Sequence, residues 1–550
     1  MKMIDSGCVD NILQNIADVE CFASHCSKLS AKEKEDVASG VVTLRNGEQF
    51  NFNEDHSIDW SFRFKLDSAT TNLYFYSLHY VGSLCLEYIN TDDKKFLEMA
   101  IGISRSYFHF ISNPHNRRVA ETNREGGSRD HGTVIRVSCL CMLLKIIVES
   151  NDYYEFTRDI ARYIIDCGYW LEEDQNYRTN NHGLMSDVCL AQIGVVVGQE
   201  TAIGKRFVDK SRWRIAELIL GAFCSEGLAN ENTIGYHRYN LIKYKEAVEL
   251  FKCWGLYSGK FADVAYNVID KAEFALSVCV WHDGSIPPIG DWPIHPTNCV
   301  SRDMPYLFPE SGFAVIKNED LYISIICGHR GTAHKHVDDT SITIRYRGVD
   351  VVIDCGNFSF DRTSPYRQCL ESSYGHSGCF VDSIDGLLTS QYLALIPEGR
   401  FLEWNETTSG VSVVVELAFK GVNVAITRKI EVVWPATITI EDVVTAGSPE
   451  LLIVARQGWI FGKDISRSYC HGHDYSIHFP GDTVSATVEF NDFSHDDELT
   501  FHRGLISPVA RGWCSEKDGE IEPTLELSHY KSGNSMRFLT TVSLSSNITA

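Results

Sequence analysis

The period of the apolar residues changes once along this chain, near residue 290. Before WHDGSIPPIGDWP (281–293), apolar residues recur every three or four positions. In TNLYFYSLHYVGSLCLEYI (71–89), Leu73, Tyr76, Tyr80, Leu84 and Tyr88 share one face of a helix. HGTVIRVSCLCMLLKIIVES (131–150) and WRIAELILGAFCSEG (213–227) read alike, with polar loops such as 113–130 between them. Beyond residue 293 the apolar residues alternate. SITIRYRGVDVVID (341–354) reads as a hairpin about Arg347-Gly348, and 411–419, 422–433, 436–444 and 484–490 continue the pattern. The Gly/Pro-rich stretch ends any helix and is the expected boundary.

The expected fold is therefore α then β. An N-terminal helical domain (1–300) precedes a C-terminal antiparallel β-sandwich (301–550). The helices fit an α/α toroid, an incomplete barrel, and also a compact bundle. At 550 residues the chain exceeds what one core usually holds.

The formal net charge of −23 argues against nucleic acid or an anionic membrane as partner. It also means that an acidic substrate needs a local basic cleft. Arg117, Arg118, Arg124, Arg129 and Arg136 are close enough in sequence to supply one. No run of 18 apolar residues exists, so no membrane span is expected. The 18 cysteines form no CxxC pair, and several lie in apolar runs, as Cys139 and Cys141 do. That pattern predicts buried reduced thiols. The start, MKMIDSGCVDNILQ, lacks the apolar core of a secretory signal, so a cytoplasmic location is expected.

Four clusters carry possible chemistry. In HRGTAHKHVDDTS (329–341), His334 and His336 alternate and would share one face of a strand. Asp354 and His376 follow. Two imidazoles and a carboxylate make a common ligand set for zinc or a similar divalent ion. Asp338 and Asp339 are alternative ligands or solvated turn residues. In YRTNNHGLMSD (177–187), Asn180, Asn181 and His182 precede an apolar helical run, which also suits a plain helix cap. NENTIGYHRYNL (230–241) groups Tyr236, His237, Arg238 and Tyr239, and SRDHGTVIRV (128–137) holds His131 and Arg136.

Together and in this order, these segments resemble the heparinase II/III-like polysaccharide lyases, a group that includes alginate lyases. The resemblance runs from about Trp60 to about Thr540. It rests on DHGTVIR, NNHG, GYHRY, GSIPPIGD (284–291), ESGFAV (310–315), AHKHVDDTS, IDCGNFSFD (353–361) and SPYRQCLESSYGHSG (364–378). It implies an α/α toroid followed by an antiparallel β-sandwich, and a lyase that cleaves uronate-containing polysaccharides by β-elimination. By the same resemblance, Asn181 neutralises the uronate carboxylate and His182 is a catalytic base. Tyr236 is the general acid, or both acid and base, and His334 reaches the cleft from the sandwich. His336, Asp354 and His376 would hold one divalent metal, zinc first with manganese or calcium as alternatives, in a largely structural role. One departure is HSG around His376, where relatives often show an HNT-like triplet.

The chemistry makes such groups necessary. Removing a proton next to a carboxylate puts charge on that carboxylate, so neutralising it lowers the barrier. A base must reach the proton, and an acid must protonate the departing glycosidic oxygen. A tyrosine, with its pKa near ~10, serves as a base only where cations stabilise the phenolate. Arg136, Arg238 and Arg330 are candidates for that task or, with His131, for binding the acidic polysaccharide or oligosaccharide. Two other classes remain open: a glycan-binding or capsule-assembly protein without catalysis, and a metal-dependent hydrolase centred on HKHVD.

Overall fold

The computed structural model describes residues 6–22, 26–65, 68–124, 126, 128–293 and 296–546. Among the described residues, helices dominate the chain to Cys279, with a short ribbon of Val41–Thr43 and Gln49–Asn51, and antiparallel sheets follow from Tyr306. The α-then-β order is as the sequence period predicts. The chain packs as two compact units, Met1–Leu220 with Lys243–Tyr266, and Gly221–Ile242 with Asn267–Ala550. Residues 221–242 and 267–300, which the period groups with the helices, thus pack with the sheets.

Within the first unit, the helix Arg129–Ile147 is buried on nearly every side. That accounts for its apolar run and for the thiols of Cys139 and Cys141. None of the cysteines among the described residues forms a disulfide. The single helix expected over 71–89 is two, Ala69–Tyr76 and His79–Thr91. Leu78 takes a left-handed φ of 61° between them. The break lets the Tyr76 carbonyl accept from Arg136 Nη1 (2.5 Å). Among the described residues, no helix is long and apolar enough to cross a membrane.

Among the described residues, the second unit holds three larger antiparallel sheets. One follows chain order: Tyr306–Phe308, Phe313–Lys317, Leu321–Ile326, Ile342–Tyr346 and Val349–Val352. Its last hairpin turns at Arg347 and Gly348, whose φ values of 49° and 79° suit a tight two-residue loop. A second sheet contains Pro397–Thr407, Gly410–Phe419, Val424–Val433 and Thr437–Ala446 as consecutive neighbours, then Ser535–Ser546 and Val484–Phe490. Gly410–Phe419, Val424–Val433 and Thr437–Ala446 bury every second residue along most of their length, so Val413, Val415, Ile426, Ile430, Ile438 and Ile440 join one core with Ile323, Ile325, Ile342 and Ile344. A third sheet contains Ile453–Ile460 and Glu526–Gly533.

A buried ion pair ties this core to the histidine-rich loop. Arg428 binds both oxygens of Asp442 (2.6 and 2.7 Å), and its Nη1 donates to the Thr340 carbonyl (2.7 Å). The chain around residues 334–340 is thereby anchored to a rigid sheet rather than left as free loop.

Candidate active site

Tyr236 stands in the first turn of the helix Ile234–Cys253. Thr233 Oγ1 accepts from the Tyr236 backbone N–H (3.1 Å), which caps one of the helix's open donors. The neighbouring His237 is 1% exposed. Its Nδ1 accepts from Ala229 N–H (3.1 Å), so its Nε2 carries the proton and donates to the Ala272 carbonyl (2.9 Å). Burial pushes its pKa down to about 4, so the ring is neutral. His237 is thus a structural strut that fixes the turn bearing Tyr236. At Gly235 a side chain would collide with the Trp292 indole. Its absence lets Trp292 pack edge-on against Tyr236, with centroids 5.1 Å apart.

On Tyr236 lies His334, with rings 3.7 Å apart and 16° from parallel. The sequence pattern predicts His334 and His336 on one face of a strand. They lie instead in an irregular loop, and His334 has a left-handed φ of 56°. For a residue other than glycine this backbone costs energy, and such strain is concentrated at functional sites. Asp291, the last residue of GSIPPIGD, brings the two imidazoles together. Its Oδ2 accepts from His334 Nδ1 (3.1 Å), and its Oδ1 from His336 Nε2 (2.8 Å) and from Arg367 Nη1. Burial opposes charge on Asp291, yet the charge of His336 and the bonds from His334, His336 and Arg367 hold its carboxyl far below the usual range. Because the acceptor is a carboxylate, His334 carries its proton on Nδ1. Its Nε2 then faces Glu231 Oε2 at 3.8 Å.

Tyr236 is surrounded by negative charge. Burial and then the carboxylates of Asp291, Glu231 and Asp518 push its pKa up to about 12. Two of the three expected stabilisers of a phenolate are engaged elsewhere. Arg330 pairs with Glu310 (3.0 Å). Arg136, expected to bind substrate, is fully buried in the other unit. Its guanidinium donates to Tyr163 Oη (2.9 Å) and to the Tyr76 carbonyl, so it holds the helical core and meets no ligand. Arg238 is half-buried on the Tyr236 helix.

The proposed metal ligands gather below this pair. His376 Nδ1 donates to Asp354 Oδ2 (3.0 Å), and the His336 and His376 ring centroids are 5.4 Å apart. Both imidazoles are fully buried. In the neutral rings, with His336 protonated on Nε2 and His376 on Nδ1, the remaining nitrogens, His336 Nδ1 and His376 Nε2, carry lone pairs. Both are buried and accept no hydrogen bond. These are the atoms and the tautomers that a divalent ion needs, with the partner carboxylates that usually orient metal-bound histidines. The Asp354 carboxylate meanwhile also accepts from Gly356 N–H (2.9 Å). Among the described residues, no group of three or more His, Cys, Asp or Glu side chains is already arranged to hold an ion. The donor types fit such an ion. Asp338 and Asp339 do not join them, being ion-paired with the buried Lys335.

The first unit has its own cluster. Asn180 caps the helix Asn181–Val197 by accepting from His182 N–H (3.0 Å). Asn181 and His182 are both half-buried. Asp130 Oδ2 accepts from His182 Nδ1 (3.1 Å), which leaves the lone pair of the neutral ring on Nε2. Burial opposes charge on Asp130, but His182, the His131 N–H and Arg178 keep its carboxyl low. The His131 ring lies 5.0 Å from that of His182, and burial with the nearby His182 brings its pKa down to about 4. Of the arginines expected to form a basic cleft, Arg117, Arg124 and Arg129 are, like Arg136, engaged within this unit. Arg117 pairs with Glu121 and Asp166, Arg129 with Glu121, and Arg124 donates to the Trp60 carbonyl.

Sequence reading missed Asp130, Asp291 and Arg367 as members of these clusters. The aspartates stand in DHG and IGD, segments already singled out, so an acid beside a histidine-bearing motif was the available signal. Arg367 gave none.

Residues 302–547 match the model of the family described as Heparinase II/III-like, C-terminal. No curated protein matches the chain in sequence. Among solved structures, a heparinase III with methylated lysines superposes with a TM-score of 0.76 at 13% identity, over 96% of this chain and 87% of its own. The heparan sulfate lyase HepC from Pedobacter heparinus gives 0.74 at 14% identity, over 99% and 88%. A further heparinase III structure gives 0.71 at 12% identity, over 98% and 89%. At these identities the likeness speaks for the fold. The C-terminal stretch 302–547 is thus similar to the heparinase II/III-like C-terminal domain, and the chain as a whole has the fold of the heparinase III structures, an α/α toroid followed by an antiparallel β-sandwich.

Proposed function

We propose that the chain is a polysaccharide lyase that cleaves uronate-containing glycans, glycosaminoglycans first and alginate as an alternative, by β-elimination. The observation that carries this reading is the Tyr236–His334 stack, with His334 clamped by Asp291. A phenol raised to about 12 stays protonated at neutral pH, so Tyr236 has a proton to give to the departing glycosidic oxygen. The carboxylates around it disfavour the phenolate, which makes Tyr236 the acid and leaves the base to histidine. His182, held by Asp130 with Nε2 as its lone-pair nitrogen, has the form of that base. Family resemblance assigns the uronate carboxylate to Asn181. His334 is fixed in ring plane and tautomer, and hydrogen-bonds or positions the sugar beside Tyr236. His336, Asp354 and His376 would hold the divalent ion. When bound, it supplies positive charge and rigidity behind the loop that bears His334.

The test is a panel of uronate polymers and oligosaccharides with product mass analysis and ultraviolet detection of unsaturated uronate. Unsaturated products, lost in Tyr236→Phe, are expected. Saturated products that require an added metal would instead favour a hydrolase. Binding without turnover, unchanged in Tyr236→Phe and His182→Ala, would favour a glycan-binding protein.

A further inference from the structure

Phe360 is out of place for a large apolar side chain. It is 60% exposed, on the loop between the strand Val349–Val352 and the helix Pro365–Glu371. Single exposed hydrophobic residues are common and need no explanation. This one is set apart by its neighbours and by the stiffness of its loop. Its ring centre is 6.2 Å from that of His334, at 71°, on the histidine that stacks on Tyr236. Two residues earlier, Phe358 is tucked inward against Tyr366, and its carbonyl accepts from Gly519 N–H (2.8 Å). One residue later, Asp361 accepts from the backbone and hydroxyl of Thr363 (2.9 and 2.7 Å). The Arg367 guanidinium lies 5.9 Å from the Phe360 centroid and is itself held by Asp291 and Asn357. The loop is therefore pinned on both sides of an aromatic ring that it leaves uncovered.

We infer that Phe360 is a stacking platform for a pyranose ring of the substrate, the ring adjoining the bond that is cut. The inference rests on the lyase reading and deepens it. A pyranose has an apolar face of C–H groups, and an aromatic face carries the negative part of the ring quadrupole, so the two attract beyond simple burial. Charge pairing is a poor alternative at this point. The groups about Tyr236 are the carboxylates of Asp291, Glu231 and Asp518, and Arg330 is paired with Glu310. A glycan that meets carboxylates here gains affinity from contact that ignores its charge. Such contact is the same in the ground state and the transition state, so Phe360 acts on KM and leaves kcat alone.

The experiment measures kcat and KM on the best uronate substrate for the parent chain, Phe360→Ala, Phe360→Leu and Phe360→Trp. The alanine and leucine variants should raise KM about tenfold, ~1.4 kcal/mol, with kcat changed by less than about threefold. Tryptophan should restore KM to near the parent value. Leucine keeps the apolar volume and the fold but has no ring face, so it separates stacking from loop packing. An unchanged KM in the leucine variant overturns the inference, as does a tryptophan variant as poor as alanine. A parent that makes no unsaturated product from any uronate polymer overturns the lyase reading and this inference together. Turnover by the parent with KM unaffected by Phe360→Ala overturns this inference alone.

Discussion

Lowering the pH should loosen the Tyr236 turn through His237, and the size of the effect follows from its bonds. The folded ring spends Nδ1 as an acceptor for Ala229 N–H and Nε2 as a donor to the Ala272 carbonyl. A second proton must go on Nδ1, where it meets another donor in a buried site. The folded pKa is accordingly about 4, against 6.5 for the free side chain. Between these values the unfolded chain takes up a proton that the folded chain refuses, so stability rises with pH across the window and is lost as pH falls. The full separation corresponds to on the order of 3 kcal/mol, and the part lost between about pH 7 and about pH 5 to roughly 2 kcal/mol. The assay is urea unfolding followed by fluorescence, with hydrogen exchange of the 229–240 segment, for the parent and His237→Gln. Glutamine can donate and accept but cannot titrate. The difference in stability between parent and variant should shrink by roughly 2 kcal/mol on acidification over that range. A constant difference across that range would falsify the assigned tautomer and burial.

Three further outcomes are expected. Asp291→Asn keeps the volume but removes the charge that orients His334 and His336; kcat on the best substrate should fall by about 10–100-fold with KM little changed. Metal analysis of the purified protein should find one divalent ion per chain, lost in His336→Ala with His376→Ala; a chelator should lower the thermal midpoint of the parent and leave that of the double variant unmoved. Arg136→Met should destabilise the chain by about 1–3 kcal/mol in urea, because the buried Tyr76 carbonyl and Tyr163 hydroxyl lose a donor; enzyme that remains folded should keep its KM, which an Arg136 that binds substrate would not permit.

The strands, their alternation and the Arg347-Gly348 hairpin were legible in the sequence, because strand period and turn chemistry act over a few residues. The segments DHG, NNHG, GYHRY, IGD and HKH stood out too, but not that Asp130 holds His182 or that Asp291 holds His334 and His336. The break at Leu78 was not legible, since its apolar pattern reads straight through and the bond that rewards the break comes to Tyr76 from Arg136, 60 residues further along the chain. Arg136 itself misled for the same reason: an arginine in a motif looks like a ligand-binding group until its burial is known. The spacing of His334 and His336 suggested a strand face, whereas Asp291, from a distant loop, gathers them in a left-handed turn.

By itself the sequence determined the α-then-β order, the core-facing residues and the side chains able to carry acid, base and ligand chemistry. Those follow from period, turn residues and side-chain type. Only the tertiary structure decided which nitrogen of each histidine bears the proton, which arginines are spent on the core, and that Tyr236 lies among carboxylates. These depend on burial and on partners far away in the chain, and a linear pattern does not encode the contacts that set them.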